Sequence, residues 1–284
     1  MQFPINQQSG TPGLSGITAP LAAPCRMNPA VRAHDGVCGK GAFIGALLIC
    51  AALGGGLLLA ASGVAAELSG SATLRGTPPP EIVVDLTDFP DVSRAYPHLV
   101  GKLATRHYLV SAGGGLANVF VYVKEGLAGR TFPAPTSAAL LDQTNAGFYP
   151  YVIGVQVGQE LLVRNSEPYL DGPQCETKTN KMFNFAQPIT GMVSRHRFEH
   201  PEVLIRTKCG INPWEFAFIG VVPHPFFAVT GSDGRFALPA GLPPGKYVLE
   251  AVHPKAGRMT REVEMTAEAK LSVDFVFDVP APRK

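Results

Sequence analysis

The chain has 284 residues, of which 46% are hydrophobic and 16% charged, so it can form a packed core in one or two domains. Its formal net charge of +2 argues against a dedicated nucleic-acid-binding protein, which would carry a basic stripe. The 31 glycines and 26 prolines favour short strands joined by tight turns over a helical protein.

The N-terminal region is typical of a targeting segment. Residues 1–40 are rich in Gly, Pro, Ser and Asn, which predicts disorder. Residues 41–66 form an uncharged apolar run that ends in small residues before Glu67, as in the hydrophobic region of a signal peptide. The run is also long enough to be an uncleaved membrane anchor, and Met27 is an alternative start. Both interpretations predict export, to the periplasm or the outer face of the inner membrane.

The rest of the chain is predicted to be all-β. Short segments rich in β-branched and aromatic residues alternate with Gly and Pro turn signals. None of them shows a 3.6-residue hydrophobic period over three turns, so we expect a sandwich-like architecture. The predicted strands cover residues 69–75, 82–86, 107–112, 118–124, 151–157, 160–165, 202–207, 216–222, 226–230, 235–238, 246–252 and 271–277.

Two distant stretches have the composition of two halves of one small β-sandwich. They are residues 67–136 and residues 226–280, and the second contains a hairpin turn at Ser232-Asp233-Gly234 and a Leu242-Pro-Pro-Gly245 turn. Together they resemble the carboxypeptidase regulatory-like domain, a transthyretin-like sandwich without an active site of its own. We therefore predict a discontinuous domain, interrupted by a separate module over residues 137–225.

The intervening module carries motifs in a recognisable order, namely Leu141-Asp-Gln143, Tyr151-Val-Ile-Gly-Val-Gln-Val-Gly158, Asn165-Ser-Glu-Pro168, Asn184-Phe185, Pro201-Glu-Val203 and Lys208-Cys-Gly-Ile-Asn-Pro-Trp-Glu215. Followed by His224-Pro-Phe-Phe-Ala-Val-Thr-Gly231, this series resembles exported bacterial proteins that combine a plastocyanin-like (cupredoxin) domain with a regulatory-like domain. The resemblance covers nearly all of residues 69–277. It implies a cupredoxin-like Greek-key sandwich for residues 137–225.

In that family the corresponding motifs read N-S-D-P-x-x-H-N and K-C-D-x-H-P-W-M, and they supply the ligands of a type-1 copper site. Such a site needs two imidazoles, one thiolate and a weak axial thioether. Here Asp171 stands at the first His position, Asn212 at the second and Glu215 at the Met position, and only Cys209 is kept. We therefore expect neither copper nor any other cofactor, and no metal at these degenerate ligand positions.

The resemblance also bears on the cysteines. Only Cys175 and Cys209 follow the leader, and an even pair in an oxidising compartment predicts a disulfide. Cys175 lies four residues after Asp171, so a Cys175–Cys209 bridge would tie together the loops that border the copper position in the family. The alternative is two separate, partly buried thiols.

A second alternative is a new site for a hard cation. Asp171, Asn212, Glu215 and Glu176 offer the oxygen ligands that calcium or magnesium prefers. Because no calcium-loop spacing is present, we favour solvated loop residues over such a site.

No nucleophile triad, phosphate-binding loop or zinc motif occurs in the sequence, so we predict that the protein is not an enzyme. The favoured hypothesis is a non-catalytic exported binding or structural subunit, such as an accessory subunit of a membrane redox complex, with a protein partner and no nucleic acid. The expected contact surface is formed by loops 169–180 and 210–216, where Tyr169, Leu170, Phe216 and Phe218 offer apolar area. The alternatives are a periplasmic copper or electron-transfer protein of the plastocyanin-like type, and a carbohydrate or cell-wall binding module.

Overall fold

The computed structural model describes residues 66–267 and 270–281, and this part of the chain is almost entirely β-structure. Its helices are one α-helix, α1 (Pro90–Ala95), and a 3-10 helix over Pro97–Leu99. The all-β class predicted from the sequence is confirmed. The strands are β1 (Glu67–Arg75), β2 (Phe120–Glu125), β3 (Ala139–Gln143), β4 (Phe148–Tyr149), β5 (Val152–Gln156), β6 (Glu160–Asn165), β7 (Pro173–Glu176), β8 (Val193–Arg197), β9 (Glu202–Cys209), β10 (Phe216–Val222), β11 (Phe227–Val229), β12 (Arg235–Ala237), β13 (Gly245–His253), β14 (Gly257–Met265) and β15 (Lys270–Asp278).

The N-terminal predictions concern residues that the structure does not describe. The disordered segment 1–40 and nearly all of the apolar run 41–66 lie outside the described residues, so both stay predictions. Among the described residues, no helix is both long and apolar enough to cross a membrane.

The first sandwich consists of two sheets that come from both ends of the described chain. One sheet has the order β12-β1-β15, with β1 and β15 parallel, and the other has the antiparallel order β11-β2-β13-β14. Strand β15 shows why these segments pair, since Val273, Phe275 and Phe277 alternate with exposed residues and all three are buried in the core between the sheets. Strands within 67–125 thus share one core with strands within 227–278.

The second sandwich is built from the residues between. Its sheets have the orders β5-β10-β9-β7 and β4-β3-β6-β8. Leu161 and Val163 on β6 point inward at every second position, and they share a core with Ile205 on β9 and Ile219 on β10. The candidate functional residues lie at one end of this sandwich.

The two sandwiches touch through aromatic rings that lie over glycines. Phe120 on β2 is fully buried and packs on Gly220 of β10 and Gly154 of β5, which are opposite each other in the register of these strands. A Cβ atom added to Gly220 would lie 2.6 Å from the Phe120 ring. The ring of Phe227 covers Gly154 in the same way. Absence of a side chain at both glycines therefore sets how closely the two sheets approach.

The segment between β1 and β2 differs from the prediction. The strands expected at 82–86 and 107–112 are not formed, and only isolated bridges occur there, at Val83 and Val110. The segment instead contains α1 and packs Leu86 against Trp214 and other residues near one end of the second sandwich. Strands β3, β4, β7, β8 and β14 were not predicted. In β8 and β14 most side chains are polar or charged and few are buried, so the hydrophobic signal is weak.

We predict that Gly220→Ala destabilises the protein by about 1–3 kcal/mol, because the added methyl group forces the buried Phe120 ring out of its position. Urea unfolding of the variant and the parent chain measures this difference. Gly113→Ala is the matched control, since nothing lies within 4 Å of the added Cβ, and it is expected to change the free energy of unfolding by less than about 0.5 kcal/mol. Equal effects of the two substitutions would contradict the proposed contact.

Candidate functional site

Pairing of β7 with β9 brings the two sequence motifs together. Pro173 lies opposite Cys209 in this antiparallel pair, and the pairing extends beyond β7 through a backbone hydrogen bond from Gly210 N to Gly172 O of 2.8 Å. Asp171 is fixed by two further backbone hydrogen bonds with Gln187, of 3.1 and 2.9 Å. The carboxyl group of Asp171 and the thiol of Cys209 therefore lie side by side.

A tight loop adds the remaining two residues. Cys209 N donates to Glu215 O (3.0 Å) and Glu215 N donates to Asn212 O (3.0 Å), which closes residues 209–215 into a compact turn between β9 and β10. The side chains of Cys209, Asn212 and Glu215 are all buried, with 3%, 2% and 1% of their surface exposed. Asp171, the fourth degenerate ligand position predicted from the sequence, is 0% exposed, so all four positions form one buried cluster.

Within this cluster Asp171 Oδ1 is the shared acceptor. It accepts a hydrogen bond from Asn212 Nδ2 at 3.1 Å and a weaker one from Cys209 Sγ at 3.4 Å. Glu215 Oε2 accepts from Gln143 Nε2 at 2.9 Å. The second oxygens, Asp171 Oδ2 and Glu215 Oε1, are buried and have no hydrogen-bond partner among the described residues.

Burial disfavours charge on all three acidic groups of the cluster. It raises the pKa of Asp171 from its ordinary value of 3.8 to about 6. The pKa of Glu215 is raised well above its usual range, first by burial and then by the nearby charge of Asp171. The pKa of the Cys209 thiol rises to about 11, again mainly through burial and then through the charge of Glu215. Without a compensating positive charge, burial shifts each of these three groups toward its neutral form.

A third carboxyl group, that of Glu167, lies behind the cluster and was not predicted as a site residue. It is fully buried, accepts a hydrogen bond from Ala146 N at 2.8 Å and binds the hydroxyl of Tyr96 from the 89–99 segment. Burial raises the pKa of Glu167. Gln143 and Glu167 both fall in the motifs that carry the family resemblance, whereas no sequence signal indicates Tyr96.

Glu176, which the sequence offered as a ligand for a hard cation, does not belong to the cluster. It is the last residue of β7 and is partly exposed. Its Oε1 atom lies 2.6 Å from Lys208 Nζ and 3.5 Å from Arg206 Nη1. These two basic groups lower the pKa of Glu176, the Lys208 hydrogen bond contributing most. Asp171, Asn212 and Glu215 therefore lie together in the buried cluster, whereas Glu176 lies outside it.

The predicted disulfide is also not formed, because both cysteines are free and buried. Cys175 lies opposite Thr207, and Cys209 lies opposite Pro173, so the two cysteines are diagonal neighbours across β7 and β9. Diagonal neighbours have Cα atoms roughly 7–8 Å apart, beyond the usual span of a disulfide of about 4.4–6.8 Å. The thiol of Cys175 instead accepts a hydrogen bond from Phe183 N at 3.2 Å.

The histidines of the described residues lie away from this cluster. His224 Nε2 contacts Val123 O at 2.7 Å, and His253 Nδ1 accepts backbone hydrogen bonds from Lys255 and Ala256. His196 packs against Phe183 and Phe198. Within the part of the chain that the structure describes, no imidazole therefore joins Asp171, Cys209 and Glu215, whose possible ligand atoms all lie within 4.8 Å of one another.

Comparison with solved structures shows a distant similarity to cupredoxins over about a third of the chain. The purple cupredoxin from Nitrosopumilus maritimus matches 29% of this chain and 98% of its own length, at 20% identity and a TM-score of 0.26. The Cu-containing nitrite reductase from Thermus scotoductus matches 33% of this chain and 24% of its own, at 19% identity and a TM-score of 0.27. A mutant of amicyanin in the Cu(I) state matches 36% and 97%, at 12% identity and a TM-score of 0.27. No family model and no curated protein matches the chain.

We predict a pH-dependent stability difference between the chelator-treated parent chain and Asp171→Asn. The folded state holds the proton of Asp171 more tightly than the unfolded chain, because the pKa rises from 3.8 to about 6. The contribution of Asp171 to the free energy of unfolding therefore falls as the pH rises from about 4 to about 6, by at most about 1.4 kcal/mol per pH unit.

Urea unfolding of the two chains across this range measures the difference. Glu176→Gln, at an exposed carboxyl group, is the control and should keep the fall caused by Asp171. Parallel curves for the parent and Asp171→Asn would show that the carboxyl group is not perturbed by burial.

Proposed function

We propose that this chain is a non-catalytic exported binding or structural protein, and that its cupredoxin-like domain does not form a type-1 copper site. The observation that carries the proposal is the composition of the buried cluster. Asp171, Cys209, Asn212 and Glu215 provide one thiol, one amide and two carboxyl groups. A type-1 site depends on two imidazoles beside the thiolate, and none is present in this cluster.

The donor set does not fit type-1 copper for a second reason. Asp171 Oδ1 already accepts hydrogen bonds from Asn212 and Cys209. Asp171 and Asn212, which stand at the two His positions, are therefore hydrogen-bonded to each other. Carboxylate oxygens are hard ligands and do not stabilise the cuprous state that an electron carrier must reach. An electron-transfer role is therefore disfavoured relative to a binding or structural one.

Burial of the cluster supports a non-catalytic role. Asp171, Cys209 and Glu215 are each at most 3% exposed, so no substrate reaches their reactive atoms without displacement of the surrounding loops. A buried thiol with a pKa raised to about 11 is also a poor nucleophile near neutral pH.

The partner in this proposal is a protein that contacts the loops around the cluster. Leu170 and Ile211 are 46% and 42% exposed, one on each loop, and Ile211 lies beside Gly172. The other expected surface residues contribute less, because Phe216 and Phe218 are half-buried and pack against the ring of Tyr151. Tyr169 is also half-buried, in the cluster around Leu86. Export, and with it a partner at the membrane, is supported by the composition of residues 41–66.

Copper titration of the purified chain tests the proposal. We expect no intense thiolate-to-copper band in the visible spectrum of the parent chain, because one thiol and two carboxyl groups cannot form the trigonal site. The matched positive control is the triple variant Asp171→His, Asn212→His, Glu215→Met, which restores the family's ligand set around Cys209 and is expected to turn blue with stoichiometric copper.

An intense visible band from the parent chain, with one copper per chain by metal analysis, would overturn the proposal and restore electron transfer. If the triple variant turns blue and the parent chain stays colourless, the difference in copper binding is caused by the three substituted positions.

A further inference from the structure

Three potential ligand atoms of the buried cluster lie close together. One oxygen of Asp171, the Sγ atom of Cys209 and one oxygen of Glu215 all lie within 4.8 Å of one another, and each residue is buried. The two oxygens without a hydrogen-bond partner, Asp171 Oδ2 and Glu215 Oε1, belong to this group of residues. A buried polar oxygen without a partner costs free energy, so each such atom requires an explanation.

Three backbone amides point at the sulfur atom of Cys209. Its Sγ atom accepts three backbone hydrogen bonds, from Gly172 N, Ile211 N and Asn212 N, each at 3.4 Å. A neutral thiol is a weak acceptor and gains little from three donors, whereas an anionic sulfur is stabilised by them. These amides are held by the backbone of the two loops and are therefore oriented before any ligand binds.

The carboxyl groups are oriented in a similar way. Asn212 Nδ2 holds one oxygen of Asp171, and Gln143 Nε2 holds one oxygen of Glu215. In each case the side-chain amide donates a hydrogen bond to one carboxyl oxygen, and the other carboxyl oxygen has no hydrogen-bond partner among the described residues. Polar groups that fix a ligand in this manner commonly accompany protein metal sites.

Among the described residues, no basic side chain forms an ion pair with the carboxyl group of Asp171 or of Glu215. By contrast the buried Glu250 binds Lys124 at 2.9 Å and lies 3.8 Å from Arg258. Buried acidic groups are ordinarily protonated, paired with a positive charge or bound to a metal. With no basic partner among the described residues, a metal is the partner that would also use the two carboxyl oxygens that lack a hydrogen bond.

We propose that Asp171, Cys209 and Glu215 bind one divalent cation of the zinc type. Zinc accepts thiolate and carboxylate ligands together, whereas calcium and magnesium take oxygen ligands and do not favour sulfur. Binding replaces the thiol proton of Cys209 and the proton of each protonated carboxyl ligand, and these protons are released to the solvent as the bonds to the metal form. This inference goes beyond the proposed function, which requires only that the site is not a type-1 copper centre.

Cobalt and zinc titrations of the full chain, after treatment with a chelator, test the proposal. One Co²⁺ per chain is expected, with a thiolate-to-cobalt charge-transfer band that disappears when Zn²⁺ displaces the cobalt. The melting temperature should rise with Zn²⁺ concentration, because a ligand that binds only the folded state stabilises it.

Two sets of variants, each with a matched control, locate the site. Cys209→Ser should abolish the charge-transfer band, and Cys175→Ser should keep it, since the second thiol is equally buried but bonded to Phe183 N. Both variants retain the three cysteines of the leader. Asp171→Asn and Glu215→Gln keep the shape of the side chains and should each weaken Zn²⁺ binding at least about tenfold, whereas Glu176→Gln should bind as the parent does.

The proposal is overturned if the chain takes up neither Co²⁺ nor Zn²⁺ in competition with the chelator. It is also overturned if the charge-transfer band survives in a folded Cys209→Ser variant, or if Asp171→Asn and Glu215→Gln bind Zn²⁺ as tightly as the parent. If Cys209→Ser does not fold, the two carboxamide variants decide the question alone. Failure here leaves the copper test unaffected, since a blue parent chain and a chain without zinc are separate results.

Discussion

Burial of two carboxyl groups without a basic partner is the constraint on which the chemistry of this protein depends. Asp171 and Glu215 reach the same end of the second sandwich because β7 pairs with β9 and because a backbone hydrogen bond joins the ends of the 209–215 loop. Both features are made by backbone atoms and so persist whatever side chains occupy these positions. The loops therefore set the position of the groups, and the side chains set which ions or protons the site accepts.

Much of the fold follows from local patterns in the sequence. In β15, Val273, Phe275 and Phe277 are buried and alternate with exposed residues, as the period-two geometry of a strand predicts. The prediction failed for residues 82–86, whose β-branched residues suggest a strand, because propensity alone does not supply a pairing partner. Ile82 and Val83 are mostly exposed there, and the segment is held by Leu86, which packs in a cluster with Val92 and Ala146.

The candidate site was predictable only in part. The resemblance of two short motifs placed Asp171, Cys209, Asn212 and Glu215 at corresponding positions, and the structure brings these four residues together. What the motifs do not contain is the register of β7 against β9, which makes Cys175 a diagonal neighbour of Cys209. Counting cysteines therefore predicted a bridge that this register does not form. Tyr96 and its contact with Glu167 depend on a long-range packing interaction that no local pattern encodes.

The cation and the partner proposals meet at the same two loops. Leu170 precedes Asp171 directly, and Ile211 lies between Cys209 and Asn212, so the exposed apolar residues are attached to the cation ligands through one or two peptide units. A cation bound by Asp171 and Cys209 would therefore join the loop before β7 to the loop after β9, and it would restrict the relative positions of Leu170 and Ile211. A contact surface ordered before association loses less conformational entropy when a partner binds. On these two proposals, the buried cluster serves to hold a binding surface in a fixed arrangement.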